Sequence, residues 1–111
     1  MICNFGAIVV VPFPFVELPV AKRRPALVLS SNSFNAENSQ TVLAMITSAA
    51  HSAWPSDLAI SDAASTGLLH DSTIRWKLFT LPNHLVMRRI GMLGDKDLQA
   101  VGAAARRHFA A

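Results

Sequence analysis

Hydrophobic residues along the chain come in short blocks with a strand-like period, and the period changes once, near the C-terminus. Gly6 to Phe15 (GAIVVVPFPF) is rich in β-branched and aromatic residues, and its two prolines predict an edge or a strand end. Val16 to Arg23 reads as a polar loop, and Ala26 to Ser30 (ALVLS) as a short central strand. Ser31 to Gln40 carries asparagines and serines and predicts a loop with room for a helical turn. Thr41 to Thr47 (TVLAMIT) reads as a buried strand, Asp57 to Ile60 as a short one, and Ser61 to Gly67 as a polar turn. From Ser72 to Leu78, Ile74, Trp76 and Leu78 alternate with Thr73, Arg75 and Lys77, the pattern of a half-buried strand. Val86 to Leu93 (VMRRIGML) gives a further strand.

The last segment follows helical spacing instead. Leu98, Val101, Gly102, Ala105 and Phe109 fall on one face of a helix from about Asp95 to Phe109. Asp95 is placed to cap its start, Asp97 lies in the first turn, and Arg106, Arg107 and His108 lie in the last. Several short strands followed by one helix predict a mainly β fold, a small barrel closed by that helix. With 111 residues the chain is expected to form a single domain, residues 1–111.

Composition narrows the function. The single cysteine, Cys3, cannot form an internal disulfide. The longest apolar run is interrupted by Pro12 and Pro14 and falls far short of the roughly 20 residues that span a bilayer. Met1 to Asn4 lacks the basic start of a signal peptide, so a soluble cytoplasmic protein with no membrane contact is expected. The net charge of +3 is gathered in Lys22-Arg23-Arg24, Arg75 with Lys77, Arg88-Arg89 and Arg106-Arg107. Brought to one face, these clusters would suit a polyanion such as nucleic acid; left apart, they are ordinary solvated charges.

Candidate chemistry is reached by elimination. The histidines at 51, 70, 84 and 108 are far apart and show no ligand spacing, so no metal site is expected. No glycine pattern of a phosphate-cradling loop is present, and no pair of carboxylates stands out among seven acids. No cofactor is implied. Arginine remains. Arg24 precedes Pro25 at the mouth of the Ala26–Ser30 strand, and the proline biases it toward an extended backbone. A guanidinium clamps phosphate bidentately and stays charged at any working pH. Thr47 and Ser48 end the next strong strand, so pairing of the two strands would bring their hydroxyls near Arg24. Taken alone, an Arg-Pro at a strand start and a Thr-Ser at a strand end are equally well explained as ordinary turn chemistry.

The blocks GAIVVVPFPF, KRRPALVLS, VLAMITS, STIRWKLFTL and RRIGML, in that order before a C-terminal helix, resemble the MazF/PemK family of toxin–antitoxin ribonucleases. The resemblance covers nearly the whole chain, and the RPALVLS block is its most specific part. It implies an SH3-like β-barrel, usually a homodimer, that cleaves single-stranded RNA without metal. It also implies a cognate antitoxin whose acidic tail blocks the groove, and operator DNA binding only as the toxin–antitoxin complex. Arg24 and Thr47 match the family's catalytic pair, with the family's separation (47 − 24 = 23), and Arg75 matches an arginine that some members place at the centre of the site. Lys22 and Arg23 would steer the RNA backbone, and Ser48 would hydrogen-bond the phosphate.

Two departures accompany the resemblance. Many members carry an acid after the first glycine, where this chain has Ala7, and several carry one two residues past the arginine matched by Arg75, where it has Lys77. Lys77 is thereby left as a substrate-binding cation. Glu17 is the nearest replacement base by chain order, and His51 the next. Three readings follow: an active endoribonuclease toxin, a degenerate barrel that binds antitoxin or nucleic acid without cutting, and an unrelated small barrel that serves as a binding module. The dimer contact is expected near Val86 to Leu93.

Overall fold

The structure, a computed structural model, describes residues 1–13, 22–48 and 53–110. Six strands and two helices follow in the order β1 (Ala7–Phe13), β2 (Lys22–Val28), α1 (Asn32–Asn38), β3 (Gln40–Ser48), β4 (Leu58–Ala59), β5 (Ser72–Pro82), β6 (Arg88–Met92) and α2 (Asp95–His108). One turn of 3₁₀ helix, Asn83–Leu85, joins β5 to β6. The strands form one antiparallel sheet in the order β4-β5-β3-β2-β1-β6, curled into a half-barrel. The mainly β fold with a closing C-terminal helix is the one the residue pattern predicts.

Burial on both faces explains why β1 is apolar at nearly every position. Ala7, Val9 and Val11 pack with Ala26, Val28, Leu43, Leu81 and Val86 on one face. Ile8 packs with Leu27, Ala44, Ile46 and Ile74 on the other, beneath Leu98 and Val101 of α2. Cross-strand partners share a face, so the pairs Val9↔Ala26 and Ile8↔Leu27 sort correctly into the two layers. The C-terminal end of α2 docks on Trp76, whose ring meets His108 and Phe109 edge-on at 5.2 and 6.2 Å.

Three local features depart from the pattern. The Ser31–Gln40 segment holds a full seven-residue helix, because the Ser31 hydroxyl caps Phe34 N–H at 3.2 Å and Ser39 takes the left-handed conformation that ends it. Its buried Asn35 donates to the Cys3 carbonyl at 2.9 Å and so ties the helix to the N-terminus. The second strand begins at Lys22 rather than Ala26 and takes Pro25 into the pair Pro25↔Val10. Asp95 does not cap α2; Gly94 occupies that position, with no side-chain bond. Asp97, a turn further on, instead accepts the N–H groups of Ser61 (3.1 Å) and Asp62 (3.0 Å) and fastens the β4–β5 connection to the helix. Burial pulls the Asp97 carboxyl upward, but these donors outweigh it and hold its pKa below the ordinary value.

That connection is also pressed against β6. Gly91 has no room for a side chain, since a Cβ there would run into the backbone of Ser65 and Thr66, and Met92 N–H bonds the Ser65 carbonyl at 2.9 Å. Gly67 faces the Ile90 carbonyl with φ at +72°, a conformation that excludes most other residues. The segment from Thr66 to Asp71 is thereby laid along one end of the sheet, where the site lies.

Candidate active site

The register of the sheet brings the arginine and hydroxyl residues together. Ala26 pairs with Met45 and Met45 with Arg75, so these three form one cross-sheet row. Continued two residues past its last pair, the β2–β3 register sets Arg24 opposite Thr47, which itself pairs with Thr73. Arg24, Thr47 and Arg75 therefore occupy adjacent rows on the same face. Between Ala44 and Met45 the ladder jumps from Leu78 to Arg75, which leaves Trp76 and Lys77 unopposed. Two extra residues preserve the alternation, so Ile74, Trp76 and Leu78 all stay in the layer beneath α2.

A cavity of about 800 Å³ opens at this end of the sheet. Arg23, Arg24, Arg75 and Arg88 line it, together with Thr47, Ser48, Ser72 and His70. Val10, Pro25, Ile46, Leu68 and Ile90 supply apolar wall. No carboxylate lines it among the described residues. The excess of guanidinium over acid makes it a receptacle for an anion, and the hydroxyls can hydrogen-bond phosphoryl oxygens.

Arg24 is exposed, with its guanidinium 5.3 Å from the Phe13 ring centroid. Val11↔Arg24 is a cross-strand pair, which places Phe13 diagonally beside Arg24. Arg75 differs from the solvent-facing residue that its strand pattern suggests: it is 9 % exposed. The reason is the turn from Trp54 to Asp57, which covers it. Asp57 accepts Arg75 Nε at 3.2 Å and Nη2 at 3.0 Å, a two-pronged ion pair just beyond the short β4–β5 ladder. Trp54 lies over the same guanidinium at 5.5 Å and donates its backbone N–H to Asp57 at 3.0 Å. The bond from Arg75 is the main reason that the Asp57 carboxyl is held below the ordinary carboxylate range; the same bond raises the Arg75 pKa.

The remaining sequence candidates divide. Arg23 and Ser48 line the cavity; Lys22 and Lys77 are exposed and do not. Lys22 sits at the outer end of the β1–β2 hairpin, paired with Phe13, and Lys77 sits at the irregularity in β5. Arg106 and Arg107 end α2 away from the cavity, so the basic clusters gather only in part. Ala7 is fully buried in the core, which leaves its position no access to the site. Glu17 and His51 lie outside the described residues. Asp57, Arg88 and His70 were missed as site residues in the sequence. Nothing local marks Asp57 or His70, whereas Arg88 stood in a basic cluster whose side of the sheet was not readable.

Among the described residues, no three His, Cys, Asp or Glu side chains gather as metal ligands, and no helix is long and apolar enough to cross a membrane. Comparison with known proteins gives a consistent result. The sequence matches the family model for "PemK-like, MazF-like toxin of type II toxin-antitoxin system" over residues 4–109. No curated protein sequence is significantly similar to it. Its fold is similar to that of MazF (Form I) from Deinococcus radiodurans, with a TM-score of 0.71 at 19% identity over 94% of this chain and 93% of that one. The MazF-bearing structure of a MazE–MazF complex (Form III) from the same organism gives 0.72 at 19% identity, over 96% of each chain. An endoribonuclease in complex with its cognate antitoxin, from Mycobacterial species, gives 0.71 at 16% identity, over 96% of this chain and 91% of the other. At these identities the solved structures speak to the fold, and the family model, matched over nearly the whole length, speaks to descent: the chain belongs to the PemK-like, MazF-like family of toxins of type II toxin–antitoxin systems.

Proposed function

We propose that this toxin is a metal-independent endoribonuclease that cleaves single-stranded RNA in the cytoplasm. The observation that carries the reading is the meeting of Arg24, Thr47 and Arg75 on the wall of one arginine-rich cavity. In the proposed reaction the ribose 2′-OH attacks its own phosphate, leaving a cyclic phosphate and a free 5′-OH. Arg24 stabilises the charge that grows on the phosphoryl oxygens, and Thr47 and Ser48 hydrogen-bond them. Arg75, immobilised by Asp57 and Trp54, adds a fixed positive charge at one wall. Arg23 steers the backbone in a salt-dependent way, with Lys22 and Lys77 contributing from outside the cavity.

The test is incubation of purified protein with single-stranded RNA in excess chelator. RNA is cut to products with 5′-hydroxyl ends, and DNA of the same sequence survives because it lacks the 2′-OH. Cutting that requires added divalent metal would sink this reading.

A second reading, binding of antitoxin or nucleic acid without cutting, is favoured by one observation: no carboxylate base lines the cavity among the described residues. Intact RNA in the assay above, together with retained binding, would select it. Under either reading the partner is an antitoxin with an acidic tail that fills the basic groove, and operator DNA is engaged by the toxin–antitoxin complex. Solved relatives that carry a MazE or a cognate antitoxin support that partner. The reading includes a homodimer, and light scattering at micromolar concentration should give twice the chain mass of 12.0 kDa. A monomer would count against it.

A further inference from the structure

The reaction proposed above moves a proton off the ribose 2′-OH, and the described wall of the cavity holds four arginines but no carboxylate. Arginine remains protonated at any working pH and serves poorly as a base. Serine and threonine hydroxyls are too weakly basic. One side chain among the described lining residues can both accept and release a proton near neutrality, and it is His70.

The position of His70 is built rather than incidental. Its segment is anchored at Thr66, which is fully buried and whose hydroxyl bonds the Ala63 carbonyl at 2.7 Å and the Leu68 N–H at 3.2 Å. Close packing of Gly67 against Ile90 and of Gly91 against Thr66 fixes the segment on β6. At the other end, Ser72 donates its hydroxyl to the His70 carbonyl at 2.8 Å, just where β5 begins. His70 is exposed and lines the same cavity as Arg24, Thr47 and Arg75.

Resting on the ribonuclease reading, we propose that His70 is the proton acceptor of the site. It takes the proton from O2′ as the O2′–P bond forms and the P–O5′ bond breaks. The departing O5′ takes a proton from water in the open cavity, and the imidazolium later returns its own to solvent. The charged residues that line the same cavity are Arg23 and Arg24 of β2, Arg75 of β5 and Arg88 of β6, and Asp71 is next to His70 in sequence.

The experiment compares wild type with His70→Gln, His70→Asn and Glu17→Gln on one RNA oligonucleotide across pH. A parallel binding assay uses the same sequence with the 2′-OH removed at every position. Both His70 variants should lose about 100-fold or more in kcat, the usual worth of a positioned general base. Their affinity for the deoxy oligonucleotide should stay within about threefold, because the arginines that hold phosphate are untouched. The wild-type rate should rise with pH on the acid side, and that limb should disappear in both variants and persist in Glu17→Gln. A wild type that cuts, with His70 variants cutting equally well or a limb that vanishes in Glu17→Gln, overturns the assignment alone. A wild type that binds the oligonucleotide and cuts nothing overturns the ribonuclease reading, and His70 with it.

Discussion

Replacing Arg24 with alanine should lower RNA cleavage by about 100-fold or more, the loss typical of removing a fixed donor at a developing oxyanion. Arg24 is exposed on its strand and contributes nothing to the packed layers, so the melting temperature of the variant should match that of wild type. The loss would then be chemical rather than structural. Arg24→Lys should recover little, because an ammonium cannot reproduce two parallel N–H···O bonds or lie flat beside Phe13 at the same spacing. Thr47→Ala, across the sheet, should cost about tenfold, the scale of one neutral hydrogen bond. Single-turnover rates at saturating RNA read all three directly. An Arg24→Ala protein that cuts at the wild-type rate would remove Arg24 from the mechanism and leave the cavity as a binding surface.

Where local pattern sets structure, the sequence was a good guide; where register and packing set it, the sequence was silent. The strand of Ile74, Trp76 and Leu78 and the helix of Leu98 and Val101 could be read because each buries one periodic face, and both meet in a single layer. That β2 and β3 adjoin could be anticipated from their short apolar blocks, and continuing their register sets Arg24 opposite Thr47, although β2 starts earlier than Ala26 and holds Arg24 within it. Helix α1 was half-visible: its residues are poor helix formers, and it exists because Ser31 and Ser39 close its two ends while Asn35 is tied to Cys3. The setting of Arg75 was not visible at all. Its partner is 18 residues earlier and reaches it through a two-residue strand, β4, that no periodicity can announce. His70 stayed hidden for a related reason, since two close backbone approaches, at Gly67 and Gly91, decide where its segment lies. The absent acids also gain a physical meaning. Ala7 belongs to the core, so a glutamate there would be a buried charge rather than a recovered base.

Asp57 should prove as necessary to the site as a residue on its wall, although it does not line the cavity. It is a poor candidate for the base: Arg75 occupies both of its oxygens, the Trp54 N–H shares one, and its pKa is held down by those bonds. Its effect runs through Arg75. Asp57→Ala removes the carboxylate that fixes the guanidinium in its plane, while Trp54 still lies on its face. Misplacing a charge by about 1 Å can cost about 100-fold in rate, so kcat should fall by about 10- to 100-fold while KM changes less. Asp57→Asn keeps the shape but loses the charge and should fall between. The sign of the pH effect follows from the lowered carboxyl: the pair stabilises the fold above the ordinary aspartate range, near pH 4, and the contribution fades as pH falls through the lower folded value. Wild type should therefore lose stability on acidification by an increment that Asp57→Asn lacks. A double-mutant cycle with Arg75→Ala separates this from general damage. If the two residues act as one unit, the double variant should be scarcely worse than Arg75→Ala alone, in kcat and in melting temperature. Fully additive losses would mean that Asp57 supports the Trp54 turn for its own sake and does not position Arg75.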